Sequence, residues 1–105
     1  MPDALSGDQQ LMEKNVVTYG NDGFSPRVLR IQKGESVRFV NASGERMWVA
    51  SNPHPFHTDL TDFDALSGIT RNEFYIYTFL SIGNHGFHNH LHAEHQGTII
   101  VEGEG

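Results

Sequence analysis

Residues 87–101 read FHNHLHAEHQGTIIV, and this stretch decides how the rest of the chain is interpreted. It contains four of the protein's seven histidines and ends in an apolar, β-branched run that is typical of a buried strand. Neutral imidazole is a common ligand of transition metals, and a metal site needs several donors close together. The stretch therefore predicts a β-strand region that carries metal ligands.

A second pair of histidines, His54 and His57, lies in a His-Pro-Phe-His segment whose prolines restrict the backbone. Because residues two apart on a strand share a face, His88 and His90 are expected to project together while Asn89 points away. A pair from each segment gives four nitrogen donors. Such a site suits Cu(II) in tetragonal geometry or Zn(II) in tetrahedral geometry.

Length and composition limit the class of protein. A chain of 105 residues is expected to form one domain, and a formal charge of −6 argues against nucleic acid or anionic membranes as partners. There is no cysteine, which excludes disulfides and thiolate ligands, and no apolar run is long enough to span a membrane. We expect residues 1–14 to be a loose N-terminal segment and residues 15–105 to be the domain.

The remaining pattern predicts an all-β sandwich of about seven short strands with Greek-key connections. Polar and apolar residues alternate over residues 35–41, which places Val37 and Phe39 on the buried face of one strand. Residues 73–79, EFYIYTF, give the clearest strand and are apolar or aromatic on both faces. Other strands are predicted at 15–19, 27–31, 47–50, from 86 onward, and at 97–101.

Three further expectations concern single positions or loops. Residues 57–72 have no regular period, so this excursion is expected to carry function or to pack over the core. Asn52 is expected to tie the two histidine segments together through side-chain hydrogen bonds, with a simple turn residue as the equal alternative. His85, within a Gly-Asn-His-Gly sequence, is expected to be a solvated turn residue.

Several motifs resemble those of the cupredoxins, the small copper proteins of the plastocyanin type. The order and spacing of the motifs agree over about residues 15–102, and the similarity is strongest to a bacterial subgroup with Trp-x-Ala-Ser-Asn-x-His-Pro-x-His and Tyr-His-x-His segments. The motifs are GFSP at 23–26, LRIQKGESVRFVN at 29–41, WVASNPHPFH at 48–57, YTF at 77–79, FHNH at 87–90 and GTIIV at 97–101.

The resemblance implies particular roles by position. His54 corresponds to the first copper histidine, His88 lies near the position of the usual cysteine, His90 matches the second histidine, and His95 matches the axial methionine. The multicopper oxidases offer a competing register, in which Asn89 replaces the cysteine and the His-Pro-x-His histidines belong to separate copper centres. In either register the copper–thiolate bond of a blue copper site is missing.

The leading hypothesis is a copper-binding protein with an all-histidine, type 2-like centre for copper handling or slow redox, with zinc as a further possible metal. Its expected partners are the metal ion and a redox or copper-transfer protein. Its expected location is periplasmic or extracellular after removal of an export segment, with a cytoplasmic location left open. Alternatives are a small copper enzyme acting on superoxide, oxygen or nitrite, or a metal-free binding module. The candidate ligands are His54, His57, His88, His90 and His95.

Overall fold

Two four-stranded β-sheets form the protein, and a computed structural model describes residues 15–52 and 60–103. One sheet has the strand order β2-β1-β4-β6 and the other has the order β3-β8-β7-β5. Strands β1 and β4 are parallel, as are β3 and β8, and the other neighbours are antiparallel. The strands are β1 (Val16–Gly20), β2 (Gly23–Ser25), β3 (Val28–Gln32), β4 (Ser36–Asn41), β5 (Val49–Ser51), β6 (Phe74–Thr78), β7 (Gly83–Asn89) and β8 (His92–Glu102).

The prediction of an all-β sandwich is confirmed, with eight strands in the described ranges instead of about seven. The additional strand is β2, which turns back onto β1 through the two-residue turn at 21–22. Within the same ranges the structure contains no helix that is long and apolar enough to cross a membrane.

Strand β4 shows how the alternating sequence produces a half-buried strand. Val37 and Phe39 are fully buried between the sheets, whereas Ser36, Arg38 and Val40 are only partly covered. Successive side chains of a strand point to opposite faces, so the apolar positions enter the core together. The predicted facing of this strand is confirmed.

Aromatic rings dominate the core between the sheets. The Phe87 ring of β7 packs edge-to-face on Phe24 at 4.9 Å and on Phe39 at 5.2 Å between ring centroids. Phe63, from the excursion between β5 and β6, packs on Phe39 at 5.6 Å and on Phe79 at 5.1 Å. Edge-to-face pairs add about 0.5–1.5 kcal/mol each beyond the burial of their area. In its described part, the excursion therefore packs over the core.

His85 differs most from the sequence prediction. The residue lies inside β7 and is only 6% exposed, so the prediction of a solvated turn residue is wrong. Its Nε2–H donates to the carbonyl oxygen of Ser81 at 2.8 Å, and its ring stacks on Phe79. Gly83, at φ 138°, begins the strand opposite Val101. Gly83 therefore starts strand β7, and His85 lies within this strand and not in a turn.

Strand β6 forms where it was predicted, and it lies at the edge of its sheet. Phe74 and Ile76 are exposed on the outer face, while Tyr75 and Tyr77 are half-buried on the inner face. An edge strand needs only one apolar face, so the aromatic character of the outer face does not indicate burial.

The close approach of β8 to Phe87 makes Gly97 necessary. A Cβ atom at this position would lie 2.5 Å from Cζ of Phe87 and 2.9 Å from the carbonyl oxygen of Arg27. We therefore expect Gly97→Ala to lower the free energy of unfolding by about 1–3 kcal/mol, as overpacking of a core does. Urea denaturation measures this change. Gly44→Ala is the matched control, since a Cβ atom added at Gly44 would meet nothing within 4 Å, and equal losses in both variants would contradict the steric explanation.

Two tyrosines of β6 hold the excursion in place. The Tyr75 hydroxyl oxygen accepts a hydrogen bond from the Asp64 backbone N–H at 3.1 Å, and the Tyr77 hydroxyl donates to Asp62 Oδ1 at 2.7 Å. Burial raises the pKa of Tyr75 to about 12. Burial, followed by the bond to Asp62, also raises the pKa of Tyr77. Folding therefore favours the protonated, neutral form of both tyrosine hydroxyls over the charged form.

Stability is consequently expected to fall in alkali. The contribution of the two neutral phenols is complete below the unfolded tyrosine pKa of about 10, and it is lost as the pH rises toward the folded Tyr75 pKa of about 12. Urea denaturation on either side of this range measures the loss. The double variant Tyr75→Phe/Tyr77→Phe is expected to be less stable at neutral pH but to lose less stability in alkali. An unchanged alkaline loss in the double variant would refute this account.

Candidate metal centre

The candidate centre lies where β5 ends beside β7. The two strands pair antiparallel, with Ala50 directly opposite His88. Asn52 follows β5, and its backbone N–H donates to the carbonyl oxygen of Gly86 at 3.0 Å. The chain therefore leaves β5 next to the part of β7 that carries the first histidine of the hairpin.

The described residues on either side of positions 53–59 lie close together in the fold. The Ser51 Oγ accepts a hydrogen bond from the Leu60 backbone N–H at 3.0 Å, and the Ser51 backbone N–H donates to the carbonyl oxygen of Phe63 at 2.8 Å. The predicted ligands His54 and His57 belong to this segment and lie outside the described residues. The flanking residues Asn52 and Leu60 are thus held near β7 by hydrogen bonds to Gly86 and to Ser51.

His88 is fully buried, and its ring is hydrogen-bonded to the residue that precedes this segment. Its Nδ1 and the Oδ1 atom of Asn52 are 2.7 Å apart. Asn52 thus makes the predicted side-chain hydrogen bond to the hairpin histidine, while the histidine segment that follows it in sequence lies outside the described residues. Leaving a buried polar group unsatisfied costs about 1–3 kcal/mol, so the bond to Asn52 stabilises His88 in its buried position.

His90 lies in the two-residue turn between β7 and β8 and is not a strand residue. The prediction that it continues the strand face of His88 is therefore wrong, because β7 ends at Asn89. The two rings are nevertheless neighbours, with centroids 6.3 Å apart. Metal–nitrogen bonds of about 2 Å place the ring centres of two imidazoles on one ion roughly 4.5–6.5 Å apart. The pair is close to the spacing that a shared ion requires.

Trp48 positions the His90 turn. The carbonyl oxygen of Trp48 accepts the His90 backbone N–H at 2.7 Å, and the two rings pack with centroids 4.7 Å apart. The indole Nε1–H donates to Asp64 Oδ1 at 2.7 Å. Trp48 is only half-buried, and its ring packs against the histidine turn.

The buried Asn89 side chain holds the hairpin together. Its Oδ1 accepts the backbone N–H groups of Trp48 at 2.9 Å and Leu91 at 3.1 Å, and its Nδ2 donates to the carbonyl oxygen of Arg46 at 3.1 Å. In the multicopper oxidase register this position replaces a cysteine ligand. Here the side chain is committed to backbone groups, so it determines the shape of the turn.

The other two hairpin histidines contact acidic and phenolic groups. His92 lies 3.8 Å from Glu45 through Nε2 and 3.8 Å from Glu94 through Nδ1. His95 Nδ1 is hydrogen-bonded to the Tyr19 hydroxyl at 2.6 Å, and its Nε2 lies 4.0 Å from Glu94. Tyr19 was not identified from the sequence as a site residue, because 76 positions separate it from His95.

Burial is the main cause that raises the pKa of Tyr19 above its ordinary value. A hydrogen bond from Asn89 opposes this effect, and the nearby carboxylates of Glu94 and Glu45 add to it. The Tyr19 hydroxyl therefore stays protonated at neutral and mildly alkaline pH.

Within residues 15–52 and 60–103, no three His, Asp or Glu side chains are arranged to hold one metal ion. The hairpin brings His88 and His90 together, and it holds His95 in a separate hydrogen-bonded pair with Tyr19. The donor set is chemically suited to copper or zinc, since imidazole nitrogen is a ligand of both metals. A complete site requires donors besides His88 and His90.

No protein-family model matches this sequence, and no curated protein sequence matches it. Solved structures do match the fold. A purple cupredoxin from Nitrosopumilus maritimus superposes with a TM-score of 0.73 at 16% identity, covering 83% of this chain and 98% of that one. An oxidised amicyanin variant gives a TM-score of 0.74 and a Cu(I) amicyanin variant gives 0.73, both at 19% identity, covering 86% of this chain and 83% of theirs. Together with the two-sheet architecture, these matches show that the chain has the cupredoxin fold.

Proposed function

We propose that this protein binds copper in an all-histidine, type 2-like centre formed by His54, His57, His88 and His90. The observation that carries the proposal is the buried His88 ring, hydrogen-bonded at 2.7 Å to the Asn52 side chain. In the sequence, Asn52 directly precedes the segment that contains the other two histidines. This hydrogen bond thus joins a hairpin histidine to the residue that precedes the second histidine segment.

The connectivity of the chain supports the shared centre. His54 follows Asn52 by two positions, and two residues of extended chain span at most about 7 Å. Leu60, the first described residue after the segment, donates its backbone N–H to the Ser51 Oγ, and Ser51 lies opposite Phe87 of β7. The second histidine of the segment, His57, is separated from Leu60 by only two residues.

The chemistry of the donors favours a non-blue centre. The sequence contains no cysteine, and Met47, a possible soft donor, is fully buried in the hydrophobic core. Four imidazoles suit tetragonal Cu(II), which supplies one-electron redox chemistry when bound. The role of the protein is to present the nitrogens, to bury His88 and to support His90 with the Trp48 ring. Zinc is the second metal that this donor set fits.

The cupredoxin fold agrees with copper handling or slow electron transfer as the function. One of the solved structures with this fold is an amicyanin variant in its Cu(I) form. For the present chain we propose a redox or copper-transfer protein as the partner. We also propose a periplasmic or extracellular location.

A Cu(II) titration of the metal-free protein tests the proposal. We expect one tightly bound Cu(II) per chain, a nitrogen-rich type 2 paramagnetic resonance spectrum, and no intense thiolate absorption. The double variant His88→Gln/His90→Gln should lower the affinity by more than about 100-fold, because it removes two ligands where loss of a supporting group alone costs 10–100-fold.

The matched control is His92→Gln on the same hairpin, whose nitrogens face Glu45 and Glu94. We expect its copper affinity to equal that of the unaltered protein. Circular dichroism serves to check that both variants are folded. Unchanged affinity in the double variant would eliminate the proposed centre.

A further inference from the structure

His88 and His95 each form a hydrogen bond through Nδ1, but one partner is an amide oxygen and the other is a hydroxyl. His88 Nδ1 contacts an amide oxygen of Asn52, and His95 Nδ1 contacts the hydroxyl of Tyr19. A neutral imidazole carries one N–H and one lone pair, so the partner of Nδ1 decides which nitrogen keeps the lone pair. Only a nitrogen with a lone pair can bind a metal.

The Asn52 oxygen can only accept a hydrogen bond, so Nδ1 of His88 carries the proton and Nε2 carries the lone pair. The position of Asn52 is itself restricted by Gly86. The Asn52 backbone N–H donates to the Gly86 carbonyl oxygen, and a Cβ on Gly86 would lie 2.5 Å from Asn52 Nδ2. The amide therefore lies against a bare backbone, in the orientation that presents its oxygen to the His88 ring.

Tyr19 places the opposite requirement on His95. The phenol is only 1% exposed, and the proton of a buried hydroxyl needs an acceptor. The acceptor at hydrogen-bond distance is His95 Nδ1, at 2.6 Å. The lone pair of Nδ1 is then occupied, and the ring proton lies on Nε2, which faces Glu94 at 4.0 Å.

We propose that these two hydrogen bonds divide the histidines of the hairpin: Asn52 makes His88 a metal ligand through Nε2, and Tyr19 keeps His95 out of the coordination shell. The inference rests on the proposed copper centre and makes its ligand set more specific. His95 was predicted from the family resemblance as an axial ligand, and here it becomes a structural residue that joins β8 to β1 through Tyr19. Asn52 and Tyr19 are positioning residues.

The tautomers are measured directly in the metal-free protein. Long-range proton–nitrogen correlation spectra, recorded above the histidine titration range, identify which nitrogen of each ring carries the proton. We expect the Nδ1–H form for His88 and the Nε2–H form for His95. Either tautomer reversed would overturn the proposal, whatever the copper affinity is.

Copper binding gives the second test. His95→Gln should leave the Cu(II) affinity and the paramagnetic resonance spectrum unchanged, whereas His88→Gln should lower the affinity by more than about 100-fold. A comparable loss in both variants would show that His95 is a ligand and would contradict the proposal.

A pair of substitutions at Asn52 separates positioning from packing. Asn52→Asp keeps an acceptor beside His88 Nδ1 and should retain both the tautomer and the affinity. Asn52→Leu removes the acceptor and should lower the affinity about 10–100-fold, as loss of a group that orients a ligand does. Equal losses in both would refute the role of Asn52 as an acceptor.

The two proposals fail in different ways. If the protein binds no copper but shows the expected tautomers, the copper centre is refuted and the hydrogen-bond assignment stands. If copper binds tightly and either tautomer is reversed, the copper centre stands and the division of the histidines is refuted.

Discussion

A buried imidazole must have a hydrogen-bond partner, and this constraint at His88 connects the core of the protein to its candidate site. Phe87, the preceding residue, enters the aromatic core and contacts Phe24 of β2 and Phe39 of β4, in the sheet opposite its own. Neighbouring strand residues point in opposite directions, so the packing of Phe87 fixes where the His88 ring lies. Asn52 then satisfies the ring from the end of β5. A single strand thereby sets both the core and the site.

In the hairpin between β7 and β8, hydrogen bonds and ring contacts hold the histidine side chains in place. Asn89 fixes the turn through three bonds to backbone groups, and Trp48 supports His90 through its carbonyl group and its ring. Tyr19 anchors His95 from the other sheet. Each of these contacts limits the movement of an imidazole. A histidine-only copper site gains rigidity from such contacts, because it has no strong metal–thiolate bond to impose its geometry.

The sequence predicted the parts of the fold that depend on local alternation. The buried pair Val37 and Phe39 follows from a period of two, and the strand is where that period places it. The role of Asn52 was also predictable, since the residue stands beside a histidine segment at the end of a strand. These features depend on neighbouring residues, and a single sequence contains that information.

The features that the sequence did not predict depend on distant parts of the chain. His85 is buried because β7 begins at Gly83, and that start depends on pairing with Val101. The turn at His90 follows from Asn89, which contacts Arg46 and Trp48 more than 40 positions away. Tyr19 reaches His95 across the sandwich. No local pattern contains such pairings, so the contacts of the individual histidines could not be predicted from the sequence.

The most direct test of the copper centre is a crystal structure of the protein loaded with one equivalent of Cu(II), with the metal located by anomalous scattering. The account predicts a single ion about 2 Å from Nε2 of His88, also bound by His90 and by the histidines at 54 and 57, with the Asn52 hydrogen bond intact. An ion bound elsewhere on the hairpin, with His88 not coordinated, would contradict it.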